Sequence, residues 1–446
     1  MAARSTFLRR LAGAALLLLV GFASGWVGAT VLSDTVSLTR IVPAIGPGLV
    51  ANQETPPALR QQFRVFWEVW NLVEAEFYQR DRINHTRMIR GAISGMLASL
   101  DDPYTVYQEP ELASQTNEHM QGRMGGIGTY LRITDGRAFL YKPIKGAPAD
   151  AAGLRQDDEI VAIDGEPVAP MIAGLDVNEA AVKVAGKIRG PDGTQVRLTI
   201  RRQPDDQVFD VTITRAEIII PSIEAQLADG GIAYIRIIEF KANTVPEFDQ
   251  ALRELLPQAS NGIILDLRNN PGGFLDQARA VLGRLYEGVA LYEQNSKGEL
   301  TEIRTVGGDI RAFDVPIVVL VNGGSASASE IVAGALRDGR VKNVTLIGEK
   351  TFGKGSVQNI YNLSDGSSAR ITFAHWLTPA RLEIDKVGII PQYVVPFAED
   401  PATQTLCIGD RQPPPGTTTC ADNQLFYAIR LLKTGEAPPS MPAAAR

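Results

Sequence analysis

A serine, a lysine and a glycine-paired turn are the residues of this chain whose types and settings could do chemistry. The serine lies where an apolar run ends at Asn322-Gly323-Gly324 and Ser325-Ala326-Ser327-Ala328-Ser329-Glu330 opens a helical run. A serine at a strand-to-helix turn can act as a nucleophile. Its hydroxyl projects from the turn, and the helix start offers free N–H groups to a developing oxyanion. The segment is not a G-x-S-x-G elbow, because Ser327 stands where that pattern needs its second glycine. Ser327 and Glu330 also have the S-x-x-E spacing of a capping box, so this segment alone fits plain helix capping at least as well.

The lysine lies in Gly348–Gln358, GEKTFGKGSVQ. Gly348 to Lys354 matches a phosphate loop, G-x-x-x-x-G-K-[ST], but Gly355 follows where the Mg²⁺-binding hydroxyl belongs, and a strand pattern comes next. A nucleotide loop is therefore rejected. A lysine held away from water between two glycines can serve as a general base, and the same pattern also describes a solvated hairpin lysine. The third segment, Asp266–Gly273 (DLRNNPGG), runs from a buried strand into a turn. Paired glycines let main-chain amides approach a ligand closely, and they also make an ordinary tight turn.

Scarcity narrows the chemistry. The 446 residues include three histidines, His85, His119 and His375, and two cysteines, Cys407 and Cys420. No two histidines are close in sequence, which argues against a clustered zinc site and leaves a Ser-His-Asp triad only three candidates. A serine, a lysine and an amide-rich turn are the parts of a Ser–Lys hydrolase.

These parts need elements to position them. Strands are expected at Ile232–Ile238, Gly262–Leu267 and Val315–Val321, with helices near Pro246–Leu256, Leu275–Leu285 and Ala328–Arg337. This alternation argues for an α/β layer on a sheet over 216–400. Residues 121–215 are rich in glycines and short β-type runs. Residues 59–120 read as helical, with an aromatic face from Phe63 to Phe77 suited to packing on the rest of the chain or on a second subunit. A second helix is expected near Thr86–Leu100. Residues 34–58 read as a linker, and 401–446 form a C-terminal tail segment.

Together the three segments closely resemble the carboxyl-terminal processing peptidases, or tail-specific proteases. The matching strings are DLRNNPGG at 266–273, NGGSASASEIVAGALRD at 322–338 and GEKTFGKGSVQ at 348–358. GAISGMLASLDDPYTVY at 91–107 and Gly388-Ile389-Ile390-Pro391 extend the likeness over about residues 60–395. The resemblance implies an α/β (α+β) multidomain chain, with a crotonase-like ββα protease core, an inserted PDZ domain and an N-terminal helical region. It implies that Ser327 is the nucleophile, Lys354 the general base and Gln358 the residue that orients the lysine. Four residues along a strand return to one face, which suits that last pairing. Gly273 and the Ala328 amide match the oxyanion hole, Gly272 supports the turn, and Glu330 and Thr351 maintain the site. The family needs no cofactor and no metal.

Residues 121–215 are similar to the family's PDZ domain, through Gly125-Gly126-Ile127-Gly128, GAPADAAGL at 146–154 and IVAIDG at 160–165. Gly126, Ile127 and Gly128 would offer amides to a substrate's terminal carboxylate, and the next strand would add the substrate by β-augmentation. Asp157 stands where the family usually has glycine. Aspartate tolerates left-handed backbone, so the turn is expected to keep its form. The alternative reading is a catalytically inactive PDZ-based binding or scaffold protein.

Leu11–Leu32 is a run of 22 residues without charge, preceded by Arg4, Arg9 and Arg10. Spanning a bilayer takes about 20 apolar residues, so 1–33 reads as a signal or transmembrane anchor, and the chain beyond it as extracytoplasmic: cell envelope, periplasm or secreted. Retained anchor and cleaved signal both stay open. There a local Cys407–Cys420 disulfide is reasonable, although spacing alone does not settle it. The net charge of -6 and the absence of a basic block exclude strong non-specific nucleic-acid binding. Expected partners are protein or peptide substrates engaged through their C-termini and a membrane engaged through the N-terminal segment. A homodimer and an adaptor protein stay open.

Overall fold

A computed structural model describes residues 55–439 apart from 340, 342, 410, 412 and 415 and the side chains of Lys142 and Asn178, together with the backbone of Ile41–Val42. The run Leu11–Leu32 lies outside these residues. Among the described residues no helix is long and apolar enough to cross a membrane. The chain divides into two compact units. One takes residues up to Glu109 with Asn295–Glu299 and Ser356–His375, and the other takes the remainder.

In the first unit, α1 (Arg60–Glu76) precedes α2 (His85–Ala98) and β1 (Val106–Gln108). Asn84 caps α2, its side chain accepting from Arg87 N at 3.0 Å, so the helix starts one residue before the expected Thr86. Helix α1 buries none of its residues. Its rings meet edge to face, Phe66 with Trp67 at 5.1 Å and Trp67 with Trp70 at 5.8 Å between centroids. Trp67 is 52% exposed.

The second unit opens with α3 (Pro110–Met120) and β2 (Arg123–Gly126). A six-stranded antiparallel sheet follows, with β3 (Thr129–Thr134), β4 (Arg137–Pro143), β5 (Glu159–Ile163), β6 (Gln195–Arg202) and β7 (Gln207–Thr214) in that spatial order and the short strand Glu166–Pro167 paired with β5 off this path. Helix α4 (Val177–Ile188) closes the core formed by Leu140, Ile160, Val184, Leu198 and Ile200, all essentially inaccessible to water. Burying each such side chain contributes about 1.5 to 3 kcal/mol. Asp157 adopts φ 68°, so aspartate holds the left-handed position directly. Strand β8 (Ala216–Ile219) pairs antiparallel with β2 and leads into the core.

The core sheet runs β9 (Ile223–Ala228), β10 (Ile232–Ile237), β11 (Gly262–Asp266), β12 (Ile317–Val321), β13 (Val344–Gly348), and finally Tyr393–Val394. All its pairings are parallel except β9 with β10. The three helices α5 (Thr244–Leu255), α6 (Leu275–Leu285) and α7 (Ala328–Asp338) connect these strands. Helix α8 (Asn423–Thr434) packs Leu425 and Ala428 on Tyr234, Ile264, Val318, Leu320 and Ile347. Residues of opposite parity, such as Leu265, Val319 and Val321, are equally buried, so both faces of the sheet are covered and its strands read as continuous apolar runs. Strand β12 begins at Ile317 rather than the expected Val315, since Pro316 has no N–H for the ladder. Helix α5 begins two residues before Pro246, because proline is tolerated in a helix's first turn.

Candidate active site

Parallel strands β11, β12 and β13 end at one edge of the core sheet, where α/β folds place their ligands. The loops that follow them carry the three chemical segments. Two of these loops are laced together by asparagine side chains. Asn269 N donates to Asn322 Oδ1 at 2.8 Å, and Asn322 Nδ2 donates to Asn269 Oδ1 at 2.9 Å. Ser325 Oγ donates to Leu267 O at 2.8 Å, Ser329 Oγ to Asn270 O at 3.0 Å, and Ala326 N to the same Asn270 carbonyl at 2.9 Å. The Asn270 side chain is buried, giving Nδ2 to Ile237 O and accepting from Gly272 N, both at 2.8 Å.

Within this frame Ser327 has φ 56° and ψ −116°, a conformation L residues rarely adopt. Holding a residue there costs about 1 to 3 kcal/mol and persists only where the surroundings enforce it. Gly272 lies against it: a Cβ there would stand 2.7 Å from Ser327 Cβ and 2.8 Å from Ala326 O. The next residue, Gly273, pairs with Phe240. Phe240 N donates to Gly272 O, and Phe274 N to Phe240 O, each at 2.7 Å, which turns the Gly273 N–H to the opposite side. The Ala328 N–H belongs to the first turn of α7 and has no intrahelical acceptor.

Glu330 joins the serine and lysine segments. It is fully buried, and its carboxylate accepts four hydrogen bonds. Oε2 accepts from Ser327 N and from Lys354 N, each at 2.9 Å. Oε1 accepts from Thr351 Oγ1 at 2.6 Å and Gly353 N at 2.7 Å. The Ser327 N contact is the glutamate half of a capping box, so the capping reading holds. The box also does more than cap, since its acid spends three further bonds on the lysine loop.

The lysine loop is clamped from its other side by the G-I-x-P stretch. Ile389 N donates to Thr351 Oγ1 at 2.7 Å, and Thr351 N to Ile389 O at 3.1 Å. Gly353 has φ 91° and lies so close to Gly388 and Val387 that a Cβ would come within 3.0 Å of their amides. Trp376 Nε1 donates to Lys354 O at 3.1 Å. The Lys354 side chain is half-buried rather than solvated on a hairpin.

Gln358 belongs to the other unit. It lies on β14 (Ser356–Asn362), paired with β15 (Ser368–Leu377), which pairs in turn with β1. Its amide donates to Ser356 Oγ at 2.8 Å and Thr372 Oγ1 at 3.0 Å. The parity argument for Lys354 and Gln358 does not transfer. Lys354 precedes the strand, and the register shifts between Val357 and Gln358.

The structure adds residues that the sequence reading missed. Arg268 is buried, and its guanidinium binds Asp266 at 2.7 Å, Asp422 at 3.0 Å and Gln424 Oε1 at 3.0 Å. Burial opposes its charge, but Asp266 and then Asp422 outweigh that, so its proton is held more tightly than usual. Asp422 also caps α8, accepting from Leu425 N at 3.0 Å. The tail therefore reaches the strand that leads into Asn269–Gly273. Nothing near Arg268 in sequence announces partners about 150 residues away. Cys407 and Cys420, which flank this tail loop, are joined by a disulfide. Among the described residues no group of three or more His, Cys, Asp or Glu could hold a metal ion.

In the β3–β7 domain, Gly126 pairs with Ala216, and Ile127 is buried in the domain core with its carbonyl accepting from Ala149 N at 2.8 Å. The Ile127 side chain thus builds the domain rather than a peptide surface. Gly128 has φ 74°, and a Cβ there would stand 2.3 Å from Ala147 Cβ. Strand β3, which follows, forms the edge of its sheet and lies beside α4.

Comparison with known proteins agrees with this architecture. The model of peptidase family S41 matches residues 231–395, that of the PDZ domain matches 140–202, and that of the activating protease CtpB N-terminal domain matches 18–112. The carboxyl-terminal-processing protease of Synechocystis is 39% identical over 73% of this chain and 75% of its own. The carboxy-terminal processing protease CtpA of Bacillus subtilis is 35% identical over 78% of this chain and 72% of its own. Among solved structures, the photosystem II D1 C-terminal processing protease is 29% identical, with 75% of this chain and 92% of that chain covered and a TM-score of 0.44. The chain belongs to peptidase family S41, as a carboxyl-terminal processing serine protease with a PDZ domain.

Proposed function

We propose that the protein cleaves proteins near their C-termini by a Ser–Lys acyl-enzyme mechanism. The observation that carries this reading is the Glu330 carboxylate, whose single oxygen Oε2 binds the main-chain N–H of both Ser327 and Lys354. The two residues with nucleophile and base chemistry are thus anchored to one buried point. Ser327 Oγ attacks the scissile carbonyl while the neutral Lys354 amine takes its proton. The Gly273 and Ala328 amides receive the oxyanion of the tetrahedral intermediate, with Gly272 leaving room for the elbow. Lys354 then protonates the leaving amine, and water releases the acyl group. Thr351 and Glu330 hold the loop, and Gln358 has the orienting role that the resemblance implies.

Residues 121–215 act as the substrate-selecting PDZ module, 216–400 as the catalytic core and 59–120 as a helical region. The open edge of β3 beside α4, entered from Gly126–Gly128, supports capture of a substrate C-terminus by strand addition. The Cys407–Cys420 disulfide and the charge-free run Leu11–Leu32 support action outside the cytoplasm, with the N-terminal segment in the membrane. The exposed aromatic face of α1 supports pairing with a second copy. Ser327→Ala and Lys354→Ala are each expected to abolish hydrolysis of labelled casein while leaving circular dichroism unchanged. Ser327→Ala should also abolish fluorophosphonate labelling. Full hydrolysis by either folded variant refutes the assignment and favours the inactive scaffold reading.

A further inference from the structure

The string GAISGMLASLDDPYTVY at 91–107 entered the resemblance with no role for any of its residues. In the folded chain its Asp102 meets a partner of Gln358. Oδ1 of Asp102 accepts from Tyr104 N at 3.0 Å, and Oδ2 accepts from Thr105 Oγ1 at 2.7 Å. The Thr372 hydroxyl bonds to the same carboxylate. Thr105 ties the two together, since its Oγ1 also accepts from Thr372 N at 3.1 Å. Burial opposes the charge on Asp102, but the hydroxyls of Thr372 and Thr105, the Tyr104 N–H and the nearby His375 outweigh it. They hold the carboxyl below its usual range, so at neutral pH it is a carboxylate that only accepts.

Asp102, Thr105, Ser356, Gln358 and Thr372 all belong to the first unit. Strands β1 and β14 both pair with β15, and Gln358 stands opposite Thr372 in the ladder. A threonine hydroxyl carries one hydrogen. Thr372 gives it to Asp102, so toward Gln358 its oxygen can only accept, and it does so from Nε2 at 3.0 Å. Ser356 Oγ takes the other amide hydrogen at 2.8 Å. A glutamine amide can turn over with little change of shape, so its partners decide which end is nitrogen. Turned over here, Oε1 would meet a Thr372 oxygen with no hydrogen left to offer. A local turn at Asp102 accounts for the Tyr104 contact alone and needs neither Thr372 nor Gln358.

We infer that Asp102, acting through Thr372, is a positioning residue that fixes the Gln358 amide with Oε1 as the atom offered to the lysine amine. The inference rests on the Ser–Lys reading and on the orienting role of Gln358 within it. Asp102 sets the direction of the Thr372 hydroxyl, the hydroxyl sets the amide, and the amide presents an acceptor rather than a donor to the base.

The test measures kcat and KM for labelled casein on the full chain. Thr372→Val keeps the branched shape and the main-chain bond to Thr105 but removes the hydroxyl. It is expected to lower kcat by about tenfold or more with KM within about twofold, the split of a misplaced catalytic group. Thr372→Ser returns the hydroxyl and should restore kcat to within about threefold of wild type. Asp102→Asn keeps an oxygen for the Tyr104 turn and should lose as much kcat as Thr372→Val. Added to Gln358→Ala, Asp102→Asn should change kcat by no more than about twofold, because residues acting as one unit are not additive. Wild-type kcat in folded Thr372→Val, no rescue by Thr372→Ser, or an Asp102→Asn loss that multiplies on that of Gln358→Ala would each overturn the inference and leave the Ser–Lys reading standing. Wild-type kcat in Gln358→Ala would instead remove the orienting role, and full hydrolysis by Lys354→Ala the Ser–Lys reading; either takes the inference with it.

Discussion

Replacing Glu330 with glutamine separates a helix cap from a catalytic joint. The carboxylate serves four donors, two on each oxygen. Glutamine keeps one acceptor oxygen and presents an NH2 group to the other pair of donors. The cheaper orientation turns that NH2 toward Thr351 and Gly353, since the threonine hydroxyl can rotate. The Gly353 N–H then faces another donor, and the bonds to Ser327 N and Lys354 N lose their charge assistance. An orphaned buried donor costs about 1 to 3 kcal/mol, and charged hydrogen bonds exceed neutral ones by about 1 kcal/mol. With two bonds losing charge assistance, the sum is about 3 to 5 kcal/mol. If that energy holds the serine and lysine in register, kcat/KM for casein falls by about 150- to 5000-fold. Loss of an ordinary cap predicts about 1 kcal/mol of stability and unchanged turnover in the folded protein. The assay pairs kcat/KM with the thermal midpoint and with fluorophosphonate labelling of Ser327. A Glu330→Gln protein that is less stable but turns over within twofold of wild type would refute the joint.

Gly272→Ala is expected to lower kcat at least 100-fold without unfolding the core. The new methyl meets Ser327 Cβ and Ala326 O within 2.8 Å, while the strands behind them are untouched; wild-type turnover would show that the elbow moves freely. Asp422→Asn keeps a good N-cap for α8 but removes one of the two carboxylates on Arg268. It should cost about 1.5 to 3 kcal/mol in urea unfolding, the range for a charged hydrogen bond. It should also slow hydrolysis, and an unchanged denaturation midpoint would show that Asp266 suffices alone.

Much of the scaffold was legible in the amino-acid sequence, because its signals are local. Apolar runs such as Ile317–Val321 are buried on both faces, and their ends are set by nearby residues such as Pro316. The helices at 275–285 and 328–338 follow from short-range periodicity and a capping pair. Asp157 kept its left-handed turn because aspartate can adopt it unaided. The ordered strings at 266–273, 322–338 and 348–358 marked the candidate segments, and all three lie at or just beyond the ends of adjacent parallel strands.

What the sequence could not state depends on partners brought together only by folding. Glu330 read as a cap three residues from Ser327, yet its three remaining bonds reach residues 21 to 24 positions away. Arg268 finds Asp422 and Gln424 154 and 156 residues on, which makes the C-terminal tail a structural neighbour of the Asn269–Gly273 turn. Strand parity does not apply to Lys354 and Gln358, because Lys354 precedes the strand and a register shift, invisible in composition, separates Val357 from Gln358. The aromatic face of α1 followed from periodicity, but whether this chain buries it is a tertiary question. Periodicity and capping are encoded within one turn or one strand. Hydrogen bonds and ion pairs between distant segments depend on which loops the sheet delivers to one edge, and only the folded chain decides that.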